Sequence, residues 1–354
     1  MNTSQDLSDA LREQVLKAAT AVEPLALQGG NSKAFYGRRS SGRPLALAGH
    51  RGIVGYEPSE LVISARAGTP LEEIETTLAA QGQMLPFEPP HFGPGGTIGG
   101  AIACGLGGPR RPWGGAPRDL LLGVKLLDGR GQILEFGGRV MKNVAGYDIS
   151  RLMVGAMGTL GILLEVSIKV LPAPPEEHTL QFESHEQGNR TLTSKLLRKG
   201  LPVTASYAHH GVLRVRLACG EERLRQIRQR YGGEVYADAE GFWRRLRDQH
   251  LAFFADRTPL WRLSLPQAAP LELPGPLLSE WGGALRWLKS AEPAAQIRAA
   301  LAKQGGHAIL FRNGDPEGEI FHPLQVRVAR LHQAIKKAFD PQGIFNPGRL
   351  YEAL

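Results

Sequence analysis

The sequence predicts a chain that mixes strands with helices in two domains. Three observations predict it. Leu164, Val166, Ile168 and Val170 alternate with Glu165, Ser167 and Lys169, the period of a strand, whereas Leu71, Ile74 and Leu78 recur at the period of a helix. At 354 residues the chain exceeds one typical domain. Pro172, Pro174 and Pro175 break the regular pattern in mid-chain, and we set a domain boundary there.

The first half reads as a series of short elements. Leu7 to Ala19 suits a helix, and Pro24 to Leu27 a strand that runs into Gln28-Gly29-Gly30-Asn31-Ser32-Lys33. Leu61 to Ala67 suits a second strand. A helix follows, with Thr69 as cap, Pro70 at the first helical position and Glu72 completing a Thr-x-x-Glu capping box. Gly82 ends it. Leu120 to Phe136 reads as two strands joined at Asp128-Gly129-Arg130-Gly131. The 164–170 alternation predicts a strand with one wet face. Beyond the prolines, Val212 to Leu217 reads as a strand, and Glu221 to Tyr231 and Phe242 to His250 as helices. A last helix carries Leu324, Val328, Leu331, Ile335 and Phe339 on one face and stops at Asp340-Pro341.

Composition narrows the classes of function. The net charge of +8 and pI of about 9.6 suit an anionic cofactor, an acidic partner or a membrane surface. The charge is dispersed, with no basic block among aromatic residues, which argues against nucleic acid. The two cysteines, Cys104 and Cys219, form no CxxC, which argues against a zinc or iron–sulfur site and suits a cytoplasmic, reducing compartment. Met1 to Ala21 carries Asp6, Asp9 and Glu13 and no apolar run, which argues against a signal peptide.

Four segments carry candidate chemistry. Gly93 to Gly108 holds eight glycines in sixteen residues and no charged side chain. Its Pro94, Gly95, Gly96, Thr97, Ile98, Gly99 and Gly100 suit either a buried loop offering backbone donors to a ligand or a flexible surface loop. Gly29, Gly30, Asn31, Ser32 and Lys33 can wrap an anion or make a plain turn. There is no GxGxxG and no Gly-Lys pair, so neither a Rossmann nor a Walker site is supported. Lys142, Asn143 and Gly146, with Gly158, Gly161 and Ile162 after them, fit donors and a close approach to a ligand, or a capped connection. Asn346, held extended by Pro347, can aim its amide at a ligand or stop a helix. His307 and His322 are candidates for proton transfer or a metal, but no carboxylate stands at supportive spacing. His209 and His210 read as surface residues.

Taken in order, these pieces resemble the vanillyl-alcohol oxidase / p-cresol methylhydroxylase superfamily of flavoproteins. The resemblance rests on Gly29 to Lys33, Ala67-Gly68, Pro89-Pro90, Thr97-Ile98-Gly99-Gly100, Gly158-Thr159-Leu160-Gly161-Ile162 and Asn346-Pro347-Gly348. Within it, Gly107 to Trp113, Val140 to Asp148 and Trp281 to Leu288 are similar to FAD-binding subunits of bacterial glycolate oxidases. The resemblance implies an α+β fold: a two-part FAD-binding domain of the p-cresol methylhydroxylase type over 1–175, an α+β cap over 176–322, and a C-terminal helix and tail over 323–354 that return to the FAD domain. It implies FAD, non-covalent because no histidine stands in the Gly29 to Lys33 loop. It implies oxidation of glycolate to glyoxylate in a complex with a larger flavin subunit and an iron–sulfur subunit, with peripheral contact to the inner face of the cell membrane. A carboxylate substrate needs a cation near the flavin, and Arg110, Arg111 and Arg286 are candidates, with His307. One departure leaves alternatives open. The Gly-His-x-Gly-Asp-Gly-Asn-x-His pattern of the larger subunits is replaced here by Gly306-His307-Ala308-Ile309-Leu310-Phe311-Arg312. That admits an assembly subunit without turnover, or a stand-alone oxidoreductase for D-lactate or a similar acid.

Overall fold

Short antiparallel strands, each able to bury one or both faces, set the architecture. The computed structural model describes residues 4–138, 148–183, 192–193, 195–196 and 199–354. After the helix Ser8–Ala21 come β1 (Leu25–Gln28), β2 (Arg43–Ala46), β3 (Ile53–Glu57), β4 (Val62–Arg66), β5 (Gln83–Met84), β6 (Leu121–Leu127), β7 (Ile133–Gly137), β8 (Ile162–Lys169) and β9 (Leu171–Pro172). β1 and β2 form a parallel pair, and β3-β4-β8-β6-β7 form an antiparallel sheet in that order.

β8 is the middle strand, and that overturns the expected wet face. Leu163, Val166 and Ile168 enter one core and Ile162 and Leu164 another. Ser167 is buried and pairs with the Ser64 hydroxyl at 2.7 Å. A hydroxyl satisfied by a neighbouring strand needs no water.

The helix after β4 spans Leu71–Ala79 and buries Leu71, Ile74 and Leu78. The expected capping box does not form. Thr69 Oγ1 donates to the carbonyl of Arg66 (2.7 Å) and accepts from Gly52 N (2.9 Å), so it ties the strand corner rather than the helix end. Pro70 takes the cap position, and the Leu71 amide donates to Gly96 O.

The second sheet has eight strands: β10 (His178–Glu183), β11 (Val203–His209), β12 (Val212–Leu217), β13 (Glu234–Val235), β14 (Leu260–Ser264), β15 (Leu277–Glu280), β16 (Leu285–Lys289) and β17 (His307–Arg312). Their order is β13-β10-β12-β11-β15-β16-β14-β17. One face, with Tyr207, Trp287 and Phe311, packs on Tyr36, Leu106 and Met157 of the first half. The helices Glu221–Tyr231 and Ala239–Arg247 cover parts of this sheet.

The last helix spans Val326–Phe339. Its apolar stripe packs only at its C-terminal end: Val328 and Leu331 are exposed, whereas Ile335 and Phe339 lie against the core, with Phe339 on Phe136. The chain then returns to the start, Phe345 bridging Leu25 beside β1.

Candidate functional site

The C-terminal end of β1 opens into a cleft of about 250 Å³. One wall is Gln28 to Lys33, a second is the start of the helix Ile98–Cys104, a third is Met153 to Leu163, and Asn346 with Arg349 closes the end. Of the residues predicted from sequence, Gly29, Gly30, Asn31, Ser32, Lys33, Thr97, Gly99, Gly100, Gly158, Gly161, Ile162 and Asn346 line it. Pro94, Gly95, Gly96 and Ile98 do not. Lys142, Asn143 and Gly146 lie outside the described residues.

The glycine tract is not a donor-rich loop. It contains a helix of 7 residues, Ile98–Cys104, capped by Thr97 Oγ1, which accepts from Gly100 N at 3.2 Å. The amides of Ile98 and Gly99 donate to Thr69 O (2.9 Å) and Ala67 O (2.8 Å). Its glycines serve close approach instead. A Cβ on Gly99 would sit 2.5 Å from Ala67 Cβ, so only glycine lets this helix lie on β4. Ile98, Ala101 and Ile102 face the core, while Gly100, Ala103 and Cys104 face the cleft. Sequence reading missed Ala103 and Cys104 as wall residues. Their spacing from Gly100, three and four along, is the helical signal that finds them.

Backbone donors come from the other wall. Among the described residues, no backbone carbonyl accepts from the amides of Gly30, Asn31, Ser32 or Lys33. A Cβ on Gly30 would fall 1.5 Å from Gly95 O, so the two glycine loops touch backbone to backbone. Lys33 is buried, with Nζ 3.4 Å from Ser32 Oγ and 5.8 Å from the Phe92 ring centre. Burial lowers its pKa from the ordinary lysine value. A buried ammonium beside amides that no backbone carbonyl takes up is a set of groups that an anion satisfies.

Asn346 closes the cleft differently from expectation. Its backbone is left-handed (φ 42°), not extended. Its Oδ1 accepts from Leu27 N at 2.8 Å and its Nδ2 donates to Met157 O at 2.7 Å. The amide therefore ties β1 to the Met157–Gly158 wall. Arg349, also missed in the sequence, donates to the carbonyls of Arg38, Ala34 and Tyr36 and fixes the loop after Lys33.

The four catalytic candidates separate sharply. Arg110 is buried in ion pairs with Glu88 (3.2 Å) and Glu177 (2.5 Å), so its charge is already matched within the chain. Arg286 lies on the face of β16 opposite Leu285 and Trp287, donating to the carbonyls of Gly283, Gln267 and Ala269. Both are structural ties, and their place in the fold corrects the expectation. His307 is exposed at the start of β17, with the His322 ring 6.2 Å away. Arg111 stacks on Trp281, 4.7 Å from the ring centre, and its buried Nε has no partner.

A cleft lined by glycines of three segments, with amides that no backbone carbonyl takes up and a buried cation, fits a dinucleotide such as FAD. Comparisons agree. Residues 4–137 match a family model described as "FAD binding domain", and residues 325–350 match "FAD linked oxidases, C-terminal domain". The chain is 49% identical over 350 residues to the "Glycolate oxidase subunit GlcE" of Escherichia coli, covering 99% of each chain. It is 30% identical over 165 residues to the "Glycolate oxidase subunit GlcD" of Bacillus subtilis, covering 46% of this chain and 35% of that one. The fold is similar to that of the 4-ethylphenol oxidase from Gulosibacter chungangensis, with a TM-score of 0.69 and 14% identity over 98% of this chain and 88% of that one. The chain has the α+β fold of p-cresol methylhydroxylase-type flavoproteins, takes FAD as its cofactor, and belongs to the family of the glycolate oxidase subunit GlcE.

Proposed function

We propose that this chain is the FAD-carrying subunit of a complex that oxidises glycolate, or a close 2-hydroxy acid, to the 2-oxo acid. The observation that carries the proposal is the full-length similarity to a glycolate oxidase subunit, joined to a cleft built for FAD. When bound, FAD supplies the acceptor for two electrons from the C–H bearing the hydroxyl. The chain's own residues hold and shield it. The amides of Gly30 to Lys33 and the Lys33 ammonium would hold its pyrophosphate, with Thr97, Gly99 and Gly100 on one wall of the cleft and Gly158, Gly161, Ile162 and Asn346 on another. We infer non-covalent attachment, since no histidine stands in the Gly29 to Lys33 loop.

The two cysteines cannot hold a cluster of the usual four-cysteine kind. Electrons leaving this chain therefore pass to a partner, which we infer to be a larger flavin subunit and an iron–sulfur subunit. Among the described residues no helix is long and apolar enough to cross a membrane. We propose a cytoplasmic complex with peripheral contact to the inner face of the membrane, in line with the net charge of +8.

The absence of a Gly-Asp-Gly-Asn after Gly306-His307 favours a second reading, an assembly subunit with FAD but no turnover of its own. The test is purification of the complex and of the chain alone, with flavin quantitation and glycolate-dependent dye reduction. A yellow chain whose loss of flavin abolishes complex activity supports the first reading. A complex fully active with this chain flavin-free overturns it.

A further inference from the structure

The helix Val326–Phe339 has two unlike faces. Its inner face is fixed to the cofactor cleft. Lys336 is buried and donates to Thr159 O and Phe345 O, and Ile335 and Phe339 lie against the core of the first half. Its outer face has no cover among the described residues. Leu331 is 59% exposed, and Val328, Ala334 and Ala338 are exposed as well. Leu331, Ala334 and Ala338 follow one another at spacings of three and four residues, so they form one stripe along the outside of the helix, with Val328 at its edge. Single apolar residues on a surface are ordinary, whereas a continuous apolar stripe marks a contact.

The cations of this face are unmatched too. Arg327, Arg330 and Lys337 are exposed, and none has an ion pair or a side-chain hydrogen bond among the described residues. No Asp or Glu stands between Val326 and Phe339. The other arginine-rich helices differ: Arg225 pairs with Glu222 on one, and Arg245 with Asp238 on the next. Helical spacing puts Arg327 in line with Leu331 and sets Arg330 and Lys337 along one side of the stripe. The surface continues past the C-terminal end of the helix. Arg130 donates to Ala338 O at 2.7 Å, and Leu16, also exposed, lies against the neighbouring Gly131.

We propose that the outer face of the helix Val326–Phe339 docks a partner subunit of the complex, which meets it with an apolar groove rimmed by carboxylates. The assignment rests on the reading under Proposed function that electrons leave this chain through a partner. Charge selects the occupant. A second copy of this chain, paired through the same face, would set Arg327, Arg330 and Lys337 against their own counterparts, and like charges across an interface repel. A lipid surface is served by a helix that separates its charged face from large apolar or aromatic side chains. Here Arg327 stands within the stripe, and Ala334 and Ala338 have nothing to insert. Small residues instead let a partner helix approach closely, which rewards a fitted protein surface. The helix is about 21 Å long, so the stripe is the centre of a larger contact that reaches toward Leu16. Because the inner face of the same helix grips Thr159 and Phe345, a docked partner also steadies the cofactor cleft.

The test compares the full-length chain alone with the chain co-expressed with the larger flavin subunit and the iron–sulfur subunit. Leu331→Asp, and separately Arg330→Glu with Lys337→Glu, should leave the FAD content and melting temperature of the chain alone near wild type, because these side chains meet only solvent there. Both should weaken association with the partner subunits about tenfold or more. The wild-type complex should loosen as salt is raised, since carboxylates on the partner answer the three cations. The double charge reversal serves if Leu331→Asp does not fold. A photo-crosslinking residue at position 331 should join this chain to a partner subunit. Wild-type association in both variants overturns the surface and leaves the functional reading standing. A crosslink between two copies of this chain also overturns it, as does sedimentation of the chain with phosphatidylglycerol vesicles that Leu331→Asp abolishes. A wild-type chain that joins neither subunit overturns both the surface and the functional reading.

Discussion

Lys336 and Asp340 form a 2.7 Å ion pair, one turn apart, beneath the floor of the cofactor cleft. The same ammonium donates to Thr159 O (2.8 Å), next to Gly158, and to Phe345 O (2.7 Å), next to Asn346. Asp340 in turn accepts from the amides of Ile344 and Phe345. One buried pair thus holds two cleft walls in register. Removing one partner leaves the other charge buried, which costs about 3–5 kcal/mol. Lys336→Met should lower the melting temperature and release FAD on gel filtration, while Lys336→Met with Asp340→Leu should recover most of the stability and not the flavin.

The helix at Gly99 supplies the second prediction. Gly99→Val puts a branched side chain where a Cβ already comes within 2.5 Å of Ala67 Cβ and 2.8 Å of Ala67 O. Overpacking of this kind costs about 1–3 kcal/mol. Gly100→Ala meets only Thr97 Oγ1, at 3.2 Å, and adds a methyl to the cleft wall. Gly99→Val should be less stable and flavin-poor, and Gly100→Ala should melt near wild type yet retain less FAD after dialysis. Wild-type flavin content in both would remove this helix from the cofactor wall.

These two glycines mark what could be read from the chain and what could not. Local periodicity located the helices at Leu71 and Glu221, the β6–β7 hairpin and the β1 strand, because their apolar spacing is a property of neighbours. The Gly29 to Lys33 loop was legible as a place where backbone turns beside a ligand, whereas the left-handed backbone of Asn346 was not, because the following Pro347 pointed to an extended residue. Which arginine is spent was not legible. Arg110 and Arg111 are adjacent, yet Arg110 meets Glu177, 67 residues away, while Arg111 meets Trp281. Arg286 fails as a ligand because strand alternation turns it away from the junction, a fact of register that becomes visible only once Leu285 and Trp287 are known to face inward. The lost capping box at Thr69 has the same cause: Gly52, just before β3, competes for the hydroxyl and wins.

Glu280 predicts a pH dependence of unusual sign. It is buried, and burial raises its pKa from 4.5 to about 7 against the opposing pull of the Trp287 N–H and Arg262. Between these values the folded chain holds a proton that the unfolded chain has lost, so stability falls as pH rises. The contribution is intact below the unfolded pKa and gone once pH passes the folded value. A shift of that size corresponds to roughly 3 kcal/mol. Glu280→Gln should keep the Trp287 hydrogen bond and flatten the fall in denaturation midpoint between pH 5 and pH 7. A variant with the wild-type slope would mean that Glu280 ionises freely.

Glu177 should behave in the opposite way, and the contrast tests the junction between the two halves. Burial works against its ionised form, but Arg216 and Arg110 outweigh it, and its pKa lies below the ordinary glutamate value. It accepts from Arg110 (2.5 Å) and Thr204 (2.5 Å), while Glu88 accepts from both Arg110 and Arg216. Glu88 and Arg110 come from the first half and Thr204 and Arg216 from the second sheet, so the cluster fastens one to the other. A carboxylate with a lowered folded pKa stabilises fully above the unfolded value, and that contribution is lost as pH falls through the folded value. Glu177→Gln should therefore be destabilised most at pH 7 and converge on wild type as pH falls below about 4, in denaturant midpoints measured at fixed ionic strength. Arg110→Met should be worse, because it leaves Glu88 and Glu177 sharing Arg216 alone, at a cost of about 3–5 kcal/mol. If Arg110→Met instead kept its stability and lost only carboxylate binding, Arg110 would be a substrate ligand rather than a tie between the two halves.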